Sequence, residues 1–142
     1  MITTFSEQVY VKAVNTPSTA ITDGKFPASG SFIDVSDYER FAFIITAGGS
    51  NTAQVCQVEE ATAADGTPTD ITGAVQTVGA SDDGEAFIIE VETRRLTLTG
   101  KRYVTLDVTG ATGDDYLGIT FLGINPGAAP VTQTNTAVII AG

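Results

Sequence analysis

The apolar residues of this chain recur at every second position, in short runs, and almost never at the three-and-four spacing of a helix face. In Arg102–Gly110 (RYVTLDVTG), Val104, Leu106 and Val108 alternate with Thr105, Asp107 and Thr109. Successive side chains of a strand point to opposite faces, so this run predicts a strand with the first set facing in and the second facing out. Glu85–Glu92 (EAFIIEVE) repeats the pattern, with Phe87, Ile89 and Val91 inward and Ile88, Glu90 and Glu92 opposite. Glu39–Gly49 (ERFAFIITAGG) is apolar on both sides: Phe41, Phe43 and Ile45 share one, Ala42 and Ile44 the other. A strand of that kind is expected in the middle of a sheet.

The remaining runs are also short and are separated by turn residues. Ser6–Val14, Ser31–Val35, Asn51–Ala61, Asp70–Val78, Tyr116–Gly123 and the terminal Asn135–Gly142 all read as strands. Between them stand Asp65-Gly66, Pro68, Asp82-Asp83-Gly84 and Gly113-Asp114-Asp115, which is the chemistry of tight turns. Asn15–Gly30 holds Pro17, Asp23-Gly24 and Pro27 and is read as one long loop. Thr93–Lys101 (TRRLTLTGK) is expected to bend the chain. About eight or nine short strands with regular punctuation predict an all-β fold: a single-domain sandwich or barrel, mostly antiparallel, with extended terminal segments. Residues 1–30 form an N-terminal arm, strand and loop, 31–124 the core sandwich, and 125–142 a Pro/Gly linker with an apolar C-terminal segment.

Composition excludes several classes of function. The 142 residues suit one domain with a sizeable core. Only 17 % are charged, well below the roughly one quarter usual for soluble domains, while 42 % are hydrophobic, so the chain can fold. The formal net charge of −10 repels phosphate backbones and anionic lipid, so neither nucleic acid nor membrane is expected as a partner. The single cysteine, Cys56, rules out an intrachain disulfide and lies in an alternating run as a small apolar residue would. With no histidine, it lacks the usual base, and Ser-His-Asp chemistry and zinc sites built on imidazole are closed. No basic segment precedes an apolar one at the N-terminus, so no signal peptide is expected, and no run approaches the roughly 20 residues of a membrane span.

The acidic pairs Asp82-Asp83 and Asp114-Asp115 are weak candidates for a divalent cation. They lack the close D-x-D-x-D-G spacing of a calcium loop, and the turn reading serves them better. No metal or other cofactor is therefore expected. Two carboxylates could in principle hydrolyse a glycoside, but there is no Trp to build a sugar platform, and no enzyme activity is expected. A carbohydrate-binding module remains an alternative, with Tyr38, Tyr103 or Tyr116 as the stacking ring. Arg94, Arg95, Lys101 and Arg102 cluster around one turn. They either balance Glu90 and Glu92 at a solvated end or form a cationic spot that docks an acidic partner. The ends of the chain are unusually apolar. Ile2 and Phe5 at one, and Val138, Ile139 and Ile140 at the other, are either edge strands of the same sandwich or segments that add to a neighbour's sheet.

The succession FAFIITAG (Phe41–Gly48), VCQVEEATAADGT (Val55–Thr67), DITGA (Asp70–Ala74) and RYVTLDVT (Arg102–Thr109) resembles small proteins encoded among the head genes of tailed bacteriophages. The resemblance spans Asp34 to Gly110. It implies a capsid decoration, or cement, protein: a catalytically silent brick made in the host cytoplasm and carried on the outside of the virion. Such a protein binds the major capsid protein, commonly as a homotrimer, and stabilises the shell. Another virion part, a tail-tube or fibre-associated sandwich, is the alternative within the same setting.

Overall fold

The computed structural model describes residues 4–49, 52–97, 99–127 and 132–133. A one-turn helix, α1 (Phe5–Gln8), leads into β1 (Val9–Asn15). There follow β2 (Ala20–Phe26), the two-residue β3 (Ile33–Asp34), β4 (Tyr38–Ala47), β5 (Gln54–Ala61), β6 (Thr69–Val78) and β7 (Ala86–Glu92). A second helical turn, α2 (Arg94–Thr97), precedes β8 (Tyr103–Pro126). The fold is all-β, as the alternation predicts.

β8 organises the rest. Its first half pairs antiparallel with β5, from Val55–Thr109 to Ala61–Tyr103, and on its other edge with β2 and β3. Its second half pairs with β4, from Tyr38–Pro126 to Ala47–Leu117, and on its other edge with β1. β6 adds to β5, and β7 adds to β4. One sheet, here called B, therefore runs β6-β5-β8 with β2 and β3 beyond. The other, sheet A, runs β1-β8-β4-β7. Among the described residues, β8 alone belongs to both.

The crossing has a local cause. Gly110 and Gly113 take φ of +87° and +90°, a region that L side chains rarely adopt. A Cβ on Gly110 would lie 2.6 Å from the Ala53 carbonyl oxygen, so only glycine lets β8 turn this closely past the start of β5. The interior between the sheets gathers the alternating residues into one cluster. Phe41, Phe43 and Ile45 meet Leu117, Ile119 and Phe121 from the second half of β8 and Val104, Leu106 and Val108 from the first, all fully buried. The Phe121 ring lies 5.5 Å from that of Phe43 and 6.1 Å from that of Phe41.

Three sequence expectations are corrected here. The Asn15–Gly30 loop contains a strand, β2. Its few apolar residues hide it, but Ile21 is 3 % exposed, and pairing with β8 outweighs the weak local signal. The strands read at Arg102–Gly110 and Tyr116–Gly123 are one strand, because the glycines between them bend the chain rather than reverse it. Gly113-Asp114-Asp115 is therefore no hairpin turn.

Candidate functional site

The two acidic pairs meet different fates. Asp82 closes a turn. Its Oδ2 accepts the Gly79 N–H at 2.6 Å, its own N–H donates to the Gly79 carbonyl at 3.1 Å, and the Gly84 N–H reaches the Ala47 carbonyl at 2.8 Å. Asp83 and Asp114 are exposed. Asp115, by contrast, is fully buried. Its carboxylate lies within hydrogen-bond reach of the Thr112 N–H (2.8 Å) and hydroxyl (3.1 Å), and of the Thr52 N–H (3.2 Å) and hydroxyl (3.0 Å). It ties the bend of β8 to the loop before β5. Among the described residues, no three Asp, Glu, Cys or His side chains gather so as to hold a metal ion. Sequence reasoning gave Asp115 a corner's role and missed its burial. The signal available was its place beside an apolar run, which forces one of two adjacent acids inward.

The basic residues lie at the opposite end of the sandwich, and each has an intramolecular partner. Arg94 Nε lies 2.7 Å from Glu92 Oε2, and Arg95 donates to the Thr72 carbonyl at 2.9 Å. Lys101 donates to the Thr69 hydroxyl and lies 3.7 Å from Glu60. Arg102 donates through Nε to Asp34 at 3.1 Å, pairs with it again through Nη2, and lies over the Tyr103 ring at 5.5 Å. Burial alone would raise the Asp34 carboxyl; bonds from Arg102 and Ser36 more than reverse this and hold it below its ordinary value. Glu90 is met by Arg40, at 3.0 Å, a cation that sequence reasoning did not single out. An open groove of about 500 Å³ runs between the start of β4 and the end of β7, with Tyr38, Arg40, Glu92, Thr93 and Arg94 among its walls. Its two cations and its acids neutralise one another.

A second charged group lies across sheet B. Lys25 on β2 sits 2.9 Å from Asp107 on β8 and 2.7 Å from Glu59 on β5. Burial works against the Lys25 ammonium, but its bonds to Glu59 and Asp107 win and raise its pKa. Burial raises the Glu59 carboxyl, and Lys25 offsets only part of that. Cys56 is fully buried, and burial, aided by the nearby Asp107 charge, pushes its thiol up to about 12. A thiol so held is inert.

No family model matches the chain. No curated protein matches it either. Among solved structures it is similar to the "Crystal structure of SPBc2 prophage-derived protein YomS", with a TM-score of 0.49 and 13 % identity, over 88 % of this chain and 99 % of that one.

The outer surfaces carry more apolar side chains than solvation favours. Phe5 is 64 % exposed and Ile88 65 %, and Val55 and Val75 also face solvent. On the side of sheet A away from the main core the residues fall in rows: Ile88, Ile44, Thr120 and Ala13, then Glu90, Ala42, Leu122 and Val11, then Glu92, Arg40, Ile124 and Val9; Ile88 is exposed, Ile44, Leu122, Val11 and Ile124 are half-buried, and Ala42 and Val9 are buried. Both faces of this sheet are apolar, and only one faces the main core. Ile2, Val138, Ile139 and Ile140 lie outside the described residues. The tyrosines offered as sugar platforms are largely engaged. Tyr38 stacks on Tyr10 at 6.1 Å, and its ring covers Gly123, where a Cβ would sit 2.6 Å from the ring. The Tyr103 ring lies under Arg102.

Proposed function

We propose that this chain is a structural virion protein that binds the outside of a tailed-phage capsid and stabilises the shell by bridging its subunits, without catalysis. The observation that carries this reading is the outward face of sheet A. A chain with a net charge of −10 keeps copies apart in solution, yet it exposes Ile88, with half-buried Ile44, Leu122 and Val11 beside it across four neighbouring strands. An apolar sheet face rimmed by the Arg40–Glu90–Glu92 ion pairs is suited to packing against another surface. The resemblance between Asp34 and Gly110 supplies the setting, and the major capsid protein and further copies of this chain are the partners it implies. Repeated modest contacts on a symmetric shell add up through avidity.

Shells of the same virus, prepared without this protein, should carry it down in a sucrose gradient once it is added back. Substitution of Ile88 and Ile44 by Asp should abolish that co-sedimentation while leaving the thermal melt in place. Full binding by the double variant would rule out this face, and a wild-type protein that stays at the top of the gradient would remove the proposal. Retention on a polysaccharide affinity gel would instead favour a carbohydrate-binding module.

A further inference from the structure

The outer side of sheet B carries an amine and two carboxylates that play no part in the proposed docking. Lys25 on β2 and Asp107 on β8 are register partners on adjacent antiparallel strands, and Lys25 Nζ lies 2.9 Å from Asp107 Oδ1. Glu59 comes from β5, on the other edge of β8, and its Oε2 lies 2.7 Å from the same nitrogen. All three side chains point away from the main core, because their neighbours Phe26, Leu106, Val108 and Val58 pack into it. This side is nevertheless partly closed to water. Thr105 shares it, is fully buried, and donates its hydroxyl to the Pro27 carbonyl at 2.7 Å. The Gly30 and Phe32 amides donate to the Ala64 carbonyl at 2.9 and 3.3 Å, and Phe32 is buried although it does not belong to the main core. Glu59, the register partner of Thr105, is left only 7 % exposed.

An amine beside one carboxyl group, with a second carboxylate in reach of both protons it must lose, has the parts needed to form an amide. The balance closes within the three groups. Glu59 takes one proton from the Lys25 ammonium and passes it to Asp107, which leaves a free amine and a neutral acid. Nζ then attacks Asp107 Cγ. The C–N bond forms, one C–O bond breaks, and Glu59 carries a second proton from the nitrogen to the departing oxygen. Ammonium and carboxylate have become amide and water, and Glu59 is unchanged. Burial raises the Glu59 carboxyl and so helps it hold the proton in transit. The bonds around Lys25 raise its pKa and make the free amine scarce, so the reaction is slow. It has to occur only once in each chain, and groups fixed for attack reach effective molarities of about 10⁵ M or more. Lys25 and Asp107 stay 32 % and 22 % exposed, which lets the water leave.

We propose that Lys25 and Asp107 join through an amide bond between their side chains, with Glu59 as the proton carrier, and that this bond staples β2 to β8. β2 is a polar strand whose pairing with β8 is interrupted by two register shifts, and the staple fixes it to the strand shared by both sheets. Freshly folded chain holds the ion pairs, and in that state Lys25→Met simply deprives Glu59 of its cation. The reaction belongs to the free chain and does not depend on the shell reading.

Intact mass spectrometry of the full chain, after long incubation at neutral pH, reads the bond directly. The expected mass is that of the sequence less one water, and a protease digest should contain a branched peptide that joins the Lys25 and Asp107 segments. Lys25→Arg, which keeps a cation at the site, should stay at its full sequence mass. Glu59→Gln, shown by circular dichroism to be folded, should close more slowly by on the order of a hundredfold. Wild-type chain that remains at full mass overturns the proposal. So does a loss of water that persists in Lys25→Arg, which would assign it to an aspartate–glycine step such as Asp83–Gly84. A folded Glu59→Gln that closes at the wild-type rate overturns the role given to Glu59.

Discussion

Single residues hold this fold at two buried carboxylates, and each gives a distinct expectation. Asp115, itself fully buried, is reached by four donor groups, from Thr52 and Thr112, at 2.8 to 3.2 Å. Removing it takes away the acceptor that joins the Thr112 and Thr52 amides, so Asp115→Ala should cost about 2–3 kcal/mol in urea unfolding, and Asp115→Asn, which keeps one acceptor oxygen, roughly 1–2 kcal/mol. Glu59 depends on Lys25. With Lys25→Met, a carboxylate only 7 % exposed loses its cation, and the loss near neutral pH should be about 2–4 kcal/mol. The sign of the pH dependence follows from Glu59's raised pKa. Its stabilising contribution is full below the ordinary value of 4.5 and falls as pH rises through the higher folded value. Lys25 moderates that fall, so the deficit of Lys25→Met should shrink between neutral pH and about pH 4. A deficit that stays constant or grows on acidification would contradict the pairing. Neither group was legible in sequence: Lys25 lies in what reads as a loop, 34 positions from Glu59, and nothing local marks their meeting.

At the scale of elements, β8 matters most, because among the described residues it is the strand shared by both sheets. Its bend is the part that sequence reasoning took for a turn, since glycine and aspartate mark both. Gly110 and Gly113 allow a comparison. Both have positive φ, but a Cβ on Gly110 meets the Ala53 carbonyl oxygen at 2.6 Å, and one on Gly113 meets only the Thr22 methyl at an ordinary 3.7 Å. Gly113→Ala should therefore show the conformational penalty alone, about 1–2 kcal/mol, and Gly110→Ala clearly more, roughly 3 kcal/mol or above. Equal losses in a denaturant titration would mean that the close passage past β5 carries no weight. β4, β7 and both halves of β8 were readable because their large core side chains, such as Phe41, Phe43 and Ile45 or Val104, Leu106 and Val108, recur at every second residue. β2 was not, because a polar strand held by its neighbours leaves little pattern of its own.

For the whole molecule, the acidic and the basic loops lie at opposite ends. Among the described residues, the end that collects Asp82, Asp83 and Asp114 has no basic residue in its loops, whereas Arg94, Arg95, Lys101 and Arg102 sit at the other end, each bound to a partner in the same chain. The sequence showed that cluster but not its saturation, because Thr72, Thr69 and Asp34 are distant along the chain. It also showed Ala42 and Ile44 as the second apolar side of β4, which the interior explains only by halves. The proposed role rests on that second side meeting a neighbour. Electron microscopy of shells reconstituted with the purified protein tests that most directly. The expected result is ordered density on the shell exterior at symmetry-related positions, with the outer face of sheet A against a capsid subunit. Shells with bare exteriors under saturating protein, or density that places this chain inside the tail tube, would contradict it.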